Sequence, residues 1–296
     1  MELLKEVIPP GGLNMRYRDL NISFRIENAV FTIPSLSHER HLRPIPMHAH
    51  SKNSYELHYI SSGCGTVNCG GIKYQAAAGS IFMTGPGVPH EQLSDLDNPM
   101  EEYCVYFKID REGGRKKAVL TETFAKTVLW FGSDDGRAWD IISRIFSELE
   151  ALNPGRELMI ESLIIQLVLT MVRLYSSGGE AREAAQKGSV NDLTYLIIEE
   201  TFLYDYNTAT LSSLAEKLGL GIRQTERLLK KQYNMSFSKK KTEARMFAAS
   251  TLLRESERSV SEISELVGYS SCEHFCSAFK KYSGLTPGEY RSSGKE

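Results

Sequence analysis

The chain has 296 residues, 41% hydrophobic and 24% charged, with a formal net charge of −2. That length allows two domains with their own cores. The near-neutral charge excludes a generally basic, histone-like coat, so any nucleic-acid contact must come from a local patch. The opening Met1-Glu2-Leu3-Leu4-Lys5-Glu6 carries acids and no long apolar core, so no signal peptide is expected. Five cysteines without a CxxC pair fit reduced thiols in a cytoplasmic protein.

Residues 1–110 read as short strands. Ala29–Ile33, Tyr55–Ile60, Gly65–Asn68, Ile72–Tyr74, Ser80–Met83 and Tyr103–Ile109 are the candidates, and Gly70-Gly71 marks a hairpin turn. Strands this close, separated by Gly and Pro, predict a small barrel or jelly roll over residues 1–132. No element is assigned to the first stretch, before Ala29. From Asp134 the period becomes helical, with Trp139, Ile142, Ile145, Phe146 and Leu149 on one stripe. Asn153-Pro154-Gly155 ends that helix, and Arg156–Tyr175 makes a second. The apolar excess of this helical hairpin, residues 133–176, predicts a dimer surface. The run Leu158–Tyr175 is interrupted by Glu161, Gln166 and Arg173, which argues against a membrane span. Residues 177–189 are polar and glycine-rich and read as a flexible linker.

From residue 190 to 296 the chain reads as all-helical. A helix ends near Tyr204. Thr210 caps Leu211–Leu218, Gly219 permits a tight turn, and Ile222–Tyr233 follows. Phe237–Leu253 forms a long connection. Ser259-Val260 opens a second unit, Gly268 turns it, and Ser271–Tyr282 closes it with Phe275 and Phe279 on one face. Each unit is a helix-turn-helix, whose common use is to place a short helix in the DNA major groove. Between Lys217 and Arg245 nine basic residues (Lys217, Arg223, Arg227, Lys230, Lys231, Lys239, Lys240, Lys241, Arg245) stand against Glu226 and Glu243. That local excess suits phosphate contacts.

The tandem units, and the closing run Val267-Gly268-Tyr269 through Pro287-Gly288-Glu289-Tyr290-Arg291, resemble AraC-type transcription regulators over roughly residues 190–292. The resemblance implies an α+β chain: an N-terminal cupin-like β-barrel with a helical hairpin, then an all-α domain with two helix-turn-helix units. It implies that Arg223, Glu226 and Arg227 read bases in the first unit, and Cys272, Glu273, His274, Cys276 and Ser277 in the second. Gln224, Lys230, Lys231, Lys280 and Lys281 are further DNA contacts in this reading. The family often has Arg where this chain has Ser277 and an aromatic where it has Leu229. The missing arginine shifts guanine readout toward the first unit.

A second constellation lies in the barrel. His48-Ala49-His50, Glu56 six residues on, and Pro86-Gly87 with His90 resemble the two cupin motifs. Residues two apart on a strand share a face, so His48 and His50 can converge. Three imidazoles and a carboxylate suit Fe, Mn, Ni or Zn. The sensor domains of AraC-type regulators use similar residues in a ligand pocket, so His48, His50, Glu56 and His90 are read as effector contacts, with no metal, no cofactor and no catalytic residue. The resemblance further implies an activator with double-stranded DNA, a small-molecule effector (a carbohydrate among the candidates), RNA polymerase and a second copy of the chain as partners. The rival reading is a cupin metalloenzyme with an appended helical domain.

Overall fold

The structure, a computed structural model, describes residues 5–7, 15–42, 44–50, 53–95, 97–111, 118–151, 153–177, 180–183, 192–233 and 235–293. They form two compact units. One comprises residues 1–42, 48–90 and 97–189, the other 43–47, 91–96 and 190–296.

The N-terminal part of the chain forms antiparallel strands: β1 (Lys5–Val7), β2 (Met15–Ile26), β3 (Ala29–Arg40), β4 (Ile45–His48), β5 (Ser54–Ser62), β6 (Cys64–Cys69), β7 (Ile72–Ala77), β8 (Ser80–Thr84), β9 (His90–Ser94) and β10 (Glu101–Arg111); most of β4 and β9 counts with the second unit. Helix α1 (Val119–Lys126) and strand β11 (Thr127–Ser133) follow, then α2 (Arg137–Ala151), α3 (Arg156–Ser177) and β12 (Glu180–Glu183). The strands make an eight-stranded sheet, β1-β2-β3-β10-β5-β8-β11-β12, and a four-stranded sheet, β4-β9-β6-β7. Gly70 and Gly71 both take positive φ, +58° and +83°, as the two central residues of a type I′ hairpin must, and Cys69 pairs with Ile72 across them.

Every strand expected between Ala29 and Ile109 is present. Strands β1, β4, β9 and β11 and helix α1 were not assigned from sequence, and two further features differ from the sequence reading. The unassigned stretch before Ala29 contains β2, whose Tyr17, Leu20, Ile22, Phe24 and Ile26 are buried against the neighbouring core. Within the expected linker, Glu180–Glu183 forms β12 and pairs with β11, because the open edge of β11 offers backbone partners to any extended segment. Ser177 at the start of the expected linker ends α3, and positions 178, 179 and 184–189 lie outside the described residues. The helical hairpin is as expected, and Asp134 caps α2 by accepting from the Ala138 and Trp139 amides. Its apolar stripe, including Ile142, Ile145, Phe146, Leu163 and Leu167, joins the same core as the sheet. Much of the apolarity that predicted a dimer surface is therefore absorbed inside the protomer. Among the described residues, α3 is the one helix long and apolar enough to cross a membrane, and half of that stretch is buried within the protein.

Apart from those strand residues the second unit is helical: α4 (Asp192–Leu203), α5 (Leu211–Lys217), α6 (Ile222–Tyr233), α7 (Phe237–Glu255), α8 (Val260–Leu266), α9 (Cys272–Ser283) and α10 (Pro287–Ser293). Thr210 caps α5 and Ser259 caps α8, each in a reciprocal capping box. One small core gathers Ile198, Phe202, Leu214, Leu229 and Phe237 around the first helix-turn-helix. Another gathers Met246, Leu252, Ile263, Val267, Phe275 and Phe279 around the second. Helix α7 contributes to both, which is how two small units become one body. The C-terminal α10, not assigned from sequence, is tied to α7 by Arg291, which donates to the carbonyls of Leu253 and Arg258.

Gly268 sits where the second turn meets the loop after α4. Its φ is +85°, and a Cβ there would stand 2.4 Å from the Asn207 carbonyl oxygen. Gly268→Ala therefore combines a left-handed backbone with a backbone clash. We expect a loss of at least about 1 kcal/mol, read as a lowered unfolding midpoint of the full chain in urea. An unchanged midpoint would show that the loop moves aside freely.

Candidate functional site

The first candidate site is inside the barrel. Cross-strand register explains it. Glu56 and His58 share one face of β5, and Glu102, Cys104 and Tyr106 share one face of β10. Tyr106 pairs with Glu56 and Cys104 with His58. Thr84, on β8, pairs with Glu56 from the other side. His48 ends β4, His50 bridges to Pro86, and His90 opens β9. All four sequence-predicted residues are buried and come together, with one donor atom from each within 4.8 Å of the others.

Glu56 is the hub. Its Oε2 lies 2.7 Å from His50 Nε2, 3.4 Å from His58 Nε2, 3.6 Å from His90 Nε2 and 3.9 Å from His48 Nε2. Its Oε1 accepts from the Cys104 thiol at 3.0 Å. Burial opposes ionisation of Glu56, but the pull of His50 and His58, with hydrogen bonds from His48 and His50, outweighs it and holds the carboxyl well below 4.5. Burial pushes His90 well below 6.5, helped by His48, and lowers His50 against the pull of Glu56. Burial likewise pushes the Cys104 thiol well above 9, so it stays a donor.

Behind Glu56 runs a chain that sequence reasoning missed. His58 Nδ1 faces Glu102 Oε1 at 3.0 Å, and His41 Nε2 faces Glu102 Oε2 at 2.7 Å. Burial would raise Glu102, yet His58 and His41 bring it down to about 2. Burial would lower His41, yet Glu102 raises it above 6.5. The signal available was period two: Glu56-x-His58 and Glu102-x-Cys104-x-Tyr106 each put a chemical group on the inward face of a strand.

The second candidate site is the pair of exposed helix faces in the helical unit. On α6, Arg223, Gln224, Arg227, Lys230 and Lys231 are exposed, Glu226 is half-buried, and Leu229 is buried beneath them. On α9, Glu273, His274, Ser277, Lys280 and Lys281 are exposed above buried Phe275 and Phe279. Cys272 and Cys276 depart from the expected outward placement. Both are half-buried, and burial with a hydrogen bond donated to Cys272 pushes the Cys276 thiol up.

The basic cluster divides in two. Arg245 donates to the carbonyls of Tyr206 and Asn207 and lies over the Tyr269 ring. Lys241 donates to the Ala209 carbonyl, Lys217 pairs with Asp205 at 3.0 Å, and Lys240 lies over the Tyr233 ring. These four stitch the unit together. Arg223, Arg227, Lys230, Lys231 and Lys239 keep exposed side chains.

Two family models match this chain. An AraC-like ligand binding domain covers residues 31–168, and a helix-turn-helix domain covers residues 214–293. The raffinose operon transcriptional regulatory protein of Pediococcus pentosaceus is 28% identical over 82% of this chain and 86% of its own length. The lactose operon transcription activator of Staphylococcus xylosus is 24% identical over 79% and 82%. Among solved structures, the C-terminal domain of the two-component response regulator yesN from Fusobacterium nucleatum is 37% identical over 33% of this chain and 94% of its own, with a TM-score of 0.31. With a sensor domain and a DNA-binding domain matched in the family's order, the chain belongs to the AraC family of transcription regulators: it is a ligand-responsive DNA-binding regulator.

The His41–Glu102 pair makes barrel stability depend on pH. Glu102, depressed from 4.5 to about 2, contributes stability that is complete above 4.5 and fades as pH falls toward 2. His41, raised above 6.5, contributes stability that is complete below 6.5 and fades as pH rises through its folded value. The pair is therefore worth most between 4.5 and 6.5. Glu102→Gln should cost about 3–5 kcal/mol in that window, by analogy with other broken buried pairs. It should also flatten both limbs of a plot of urea midpoint against pH. A parallel downward displacement, with both limbs intact, would place the pH dependence elsewhere.

Proposed function

We propose that this chain is a cytoplasmic, homodimeric transcription activator whose barrel senses a small molecule, with a carbohydrate the favoured class. The observation that carries the DNA half is the build of α6 and α9. Each has a buried apolar anchor and an exposed polar face, so side chains can reach base edges without disturbing the fold. Arg223, Gln224, Glu226 and Arg227 read bases from the first helix, with Lys230 and Lys231 on phosphate. Glu273, His274 and Ser277 read from the second, with Cys272 and Cys276 at its margin and Lys280 and Lys281 on phosphate.

The carbohydrate reading draws on relatives named for raffinose and lactose operons. Activation follows the second of these names, and implies contact with RNA polymerase. His48, His50, Glu56 and His90 form the sensing site. Ligand there biases two states of the protein by differential affinity, since equal affinity for both states shifts nothing. The barrel binds and does not turn over a substrate. Dimerisation through the α2–α3 hairpin is supported by Leu158 and Met159, which remain 73% and 45% exposed on α3.

In-vitro selection of genomic fragments at moderate salt should enrich a motif with two elements one helical turn, about 10 bp, apart. On that motif, Arg227→Ala should cost about 1–3 kcal/mol, with little loss on random DNA. An equal loss on both would make Arg227 a phosphate contact. Leu158→Glu should shift the sedimentation coefficient from dimer to monomer, and an unshifted dimer would move the interface off this hairpin.

A further inference from the structure

We propose that His48, His50, Glu56 and His90 together hold one divalent first-row transition-metal ion inside the barrel. This inference names the direct occupant of the sensing site and rests on the reading of the barrel as the sensing half.

The first argument is space. Two donors bound at about 2.1 Å to one ion stand about 3–4.2 Å apart, depending on the angle between them. The distances from Glu56 Oε2, 2.7 Å to His50, 3.6 Å to His90 and 3.9 Å to His48, straddle that interval. Shifts of a few tenths of an ångström would close the shell. An organic effector needs a pocket of about 300 Å³ or more, so a carbohydrate would reach these residues from the side of the cluster and not from between them. An ion fits between them.

The second argument is His90. The Val88 carbonyl can only accept, so its 3.0 Å contact fixes the ring proton on His90 Nδ1. His90 Nε2 then faces the Glu56 carboxylate, 3.6 Å away, with the Thr84 hydroxyl at 3.4 Å. Those separations are long for hydrogen bonds. A cation between the ring nitrogen and the carboxylate would bond to both. A backbone carbonyl that fixes the tautomer of a ligating imidazole is the usual outer support of a metal site.

The surrounding groups fit. Cys104 occupies Glu56 Oε1 and leaves Oε2 to the imidazoles. His58 is not a ligand: both its nitrogens face carboxylates, at 3.0 Å and 3.4 Å, so it donates in both directions. That also disfavours the alternative grouping of Glu56, His58 and Cys104. Three imidazoles and one carboxylate select Mn, Fe, Ni or Zn over the all-oxygen preferences of Ca and Mg.

The test uses the full-length chain, stripped with a chelator and titrated with Co²⁺ as a spectroscopic probe. The expected result is one equivalent bound, visible d–d absorption without a thiolate charge-transfer band, and a rise in Tm of about 5 °C or more. Glu56→Gln and His90→Gln should lose that equivalent, while Cys272→Ser with Cys276→Ser should keep it. If the barrel variants do not fold, the wild-type titration decides. No uptake, or a thiolate charge-transfer band, overturns the proposal. So does uptake that persists in folded His90→Gln. Motif enrichment by a chain that takes up no metal would overturn the ion and leave the regulator standing. Metal uptake without DNA enrichment would do the reverse.

Discussion

A single buried carboxylate organises the sensing half. Glu56 lies inside the barrel facing four imidazoles and a thiol. An isolated ionised carboxylate there would cost several kcal/mol or more in lost solvation. Its surroundings must repay that cost, and three neighbouring strands each supply a part of the repayment through register. β5 brings the carboxylate and His58, β10 brings Cys104 and the second carboxylate, and β8 brings Thr84. A one-residue slip of β5 would send Glu56 outward and dismantle the arrangement. The polar interior is thus also a register lock on the central strands, and the paired Glu102 extends that lock to His41.

The helical half handles charge in the opposite way. Its polar groups are held at the surface, and its order comes from two small apolar cores sharing α7. Only part of the basic cluster is available to an outside partner. Arg245, Lys241, Lys217 and Lys240 have internal work, three of them on groups of the segment between Asp205 and Ala209. Backbone carbonyls at a loop need donors, and a long cation supplies them across a gap that a short side chain could not span. A charge count along the sequence treats these four like Arg223 and Arg227, and so overstates the phosphate-facing surface.

Much of this was legible in the residues. Turn glycines, caps and apolar spacing located the hairpin at Gly70-Gly71, both helix-turn-helix units and the buried pair Phe275 and Phe279. The HxH, glutamate and distant histidine spacing located four residues that do converge. β2 was legible by the same rule and went unassigned all the same: buried Leu20, Ile22, Phe24 and Ile26 alternate with polar residues at period two. Other losses have physical causes. β12 was hidden because edge pairing is decided by the open backbone of β11 and not by its own side chains. His41, His58 and Glu102 were missed because their partnership is between strands far apart in sequence, at separations of 61 and 44 residues. Local spacing shows which face of its strand each group takes, but not which group on another strand it meets.

The two halves also differ in how much substitution each can absorb. On α6 and α9 the outward residues rest on anchors such as Leu229 and Phe279, so a changed Arg223 or Ser277 alters what is contacted while the core persists. The outward faces of α6 and α9 can then vary one side chain at a time. In the barrel, the imidazoles and the thiol around Glu56 are buried against its carboxylate, so a single change leaves a buried polar group without its counterpart. The barrel centre can change only by concerted replacement. It is therefore the more constrained of the two regions, and a serine at exposed position 277 leaves the buried anchors Phe275 and Phe279 untouched.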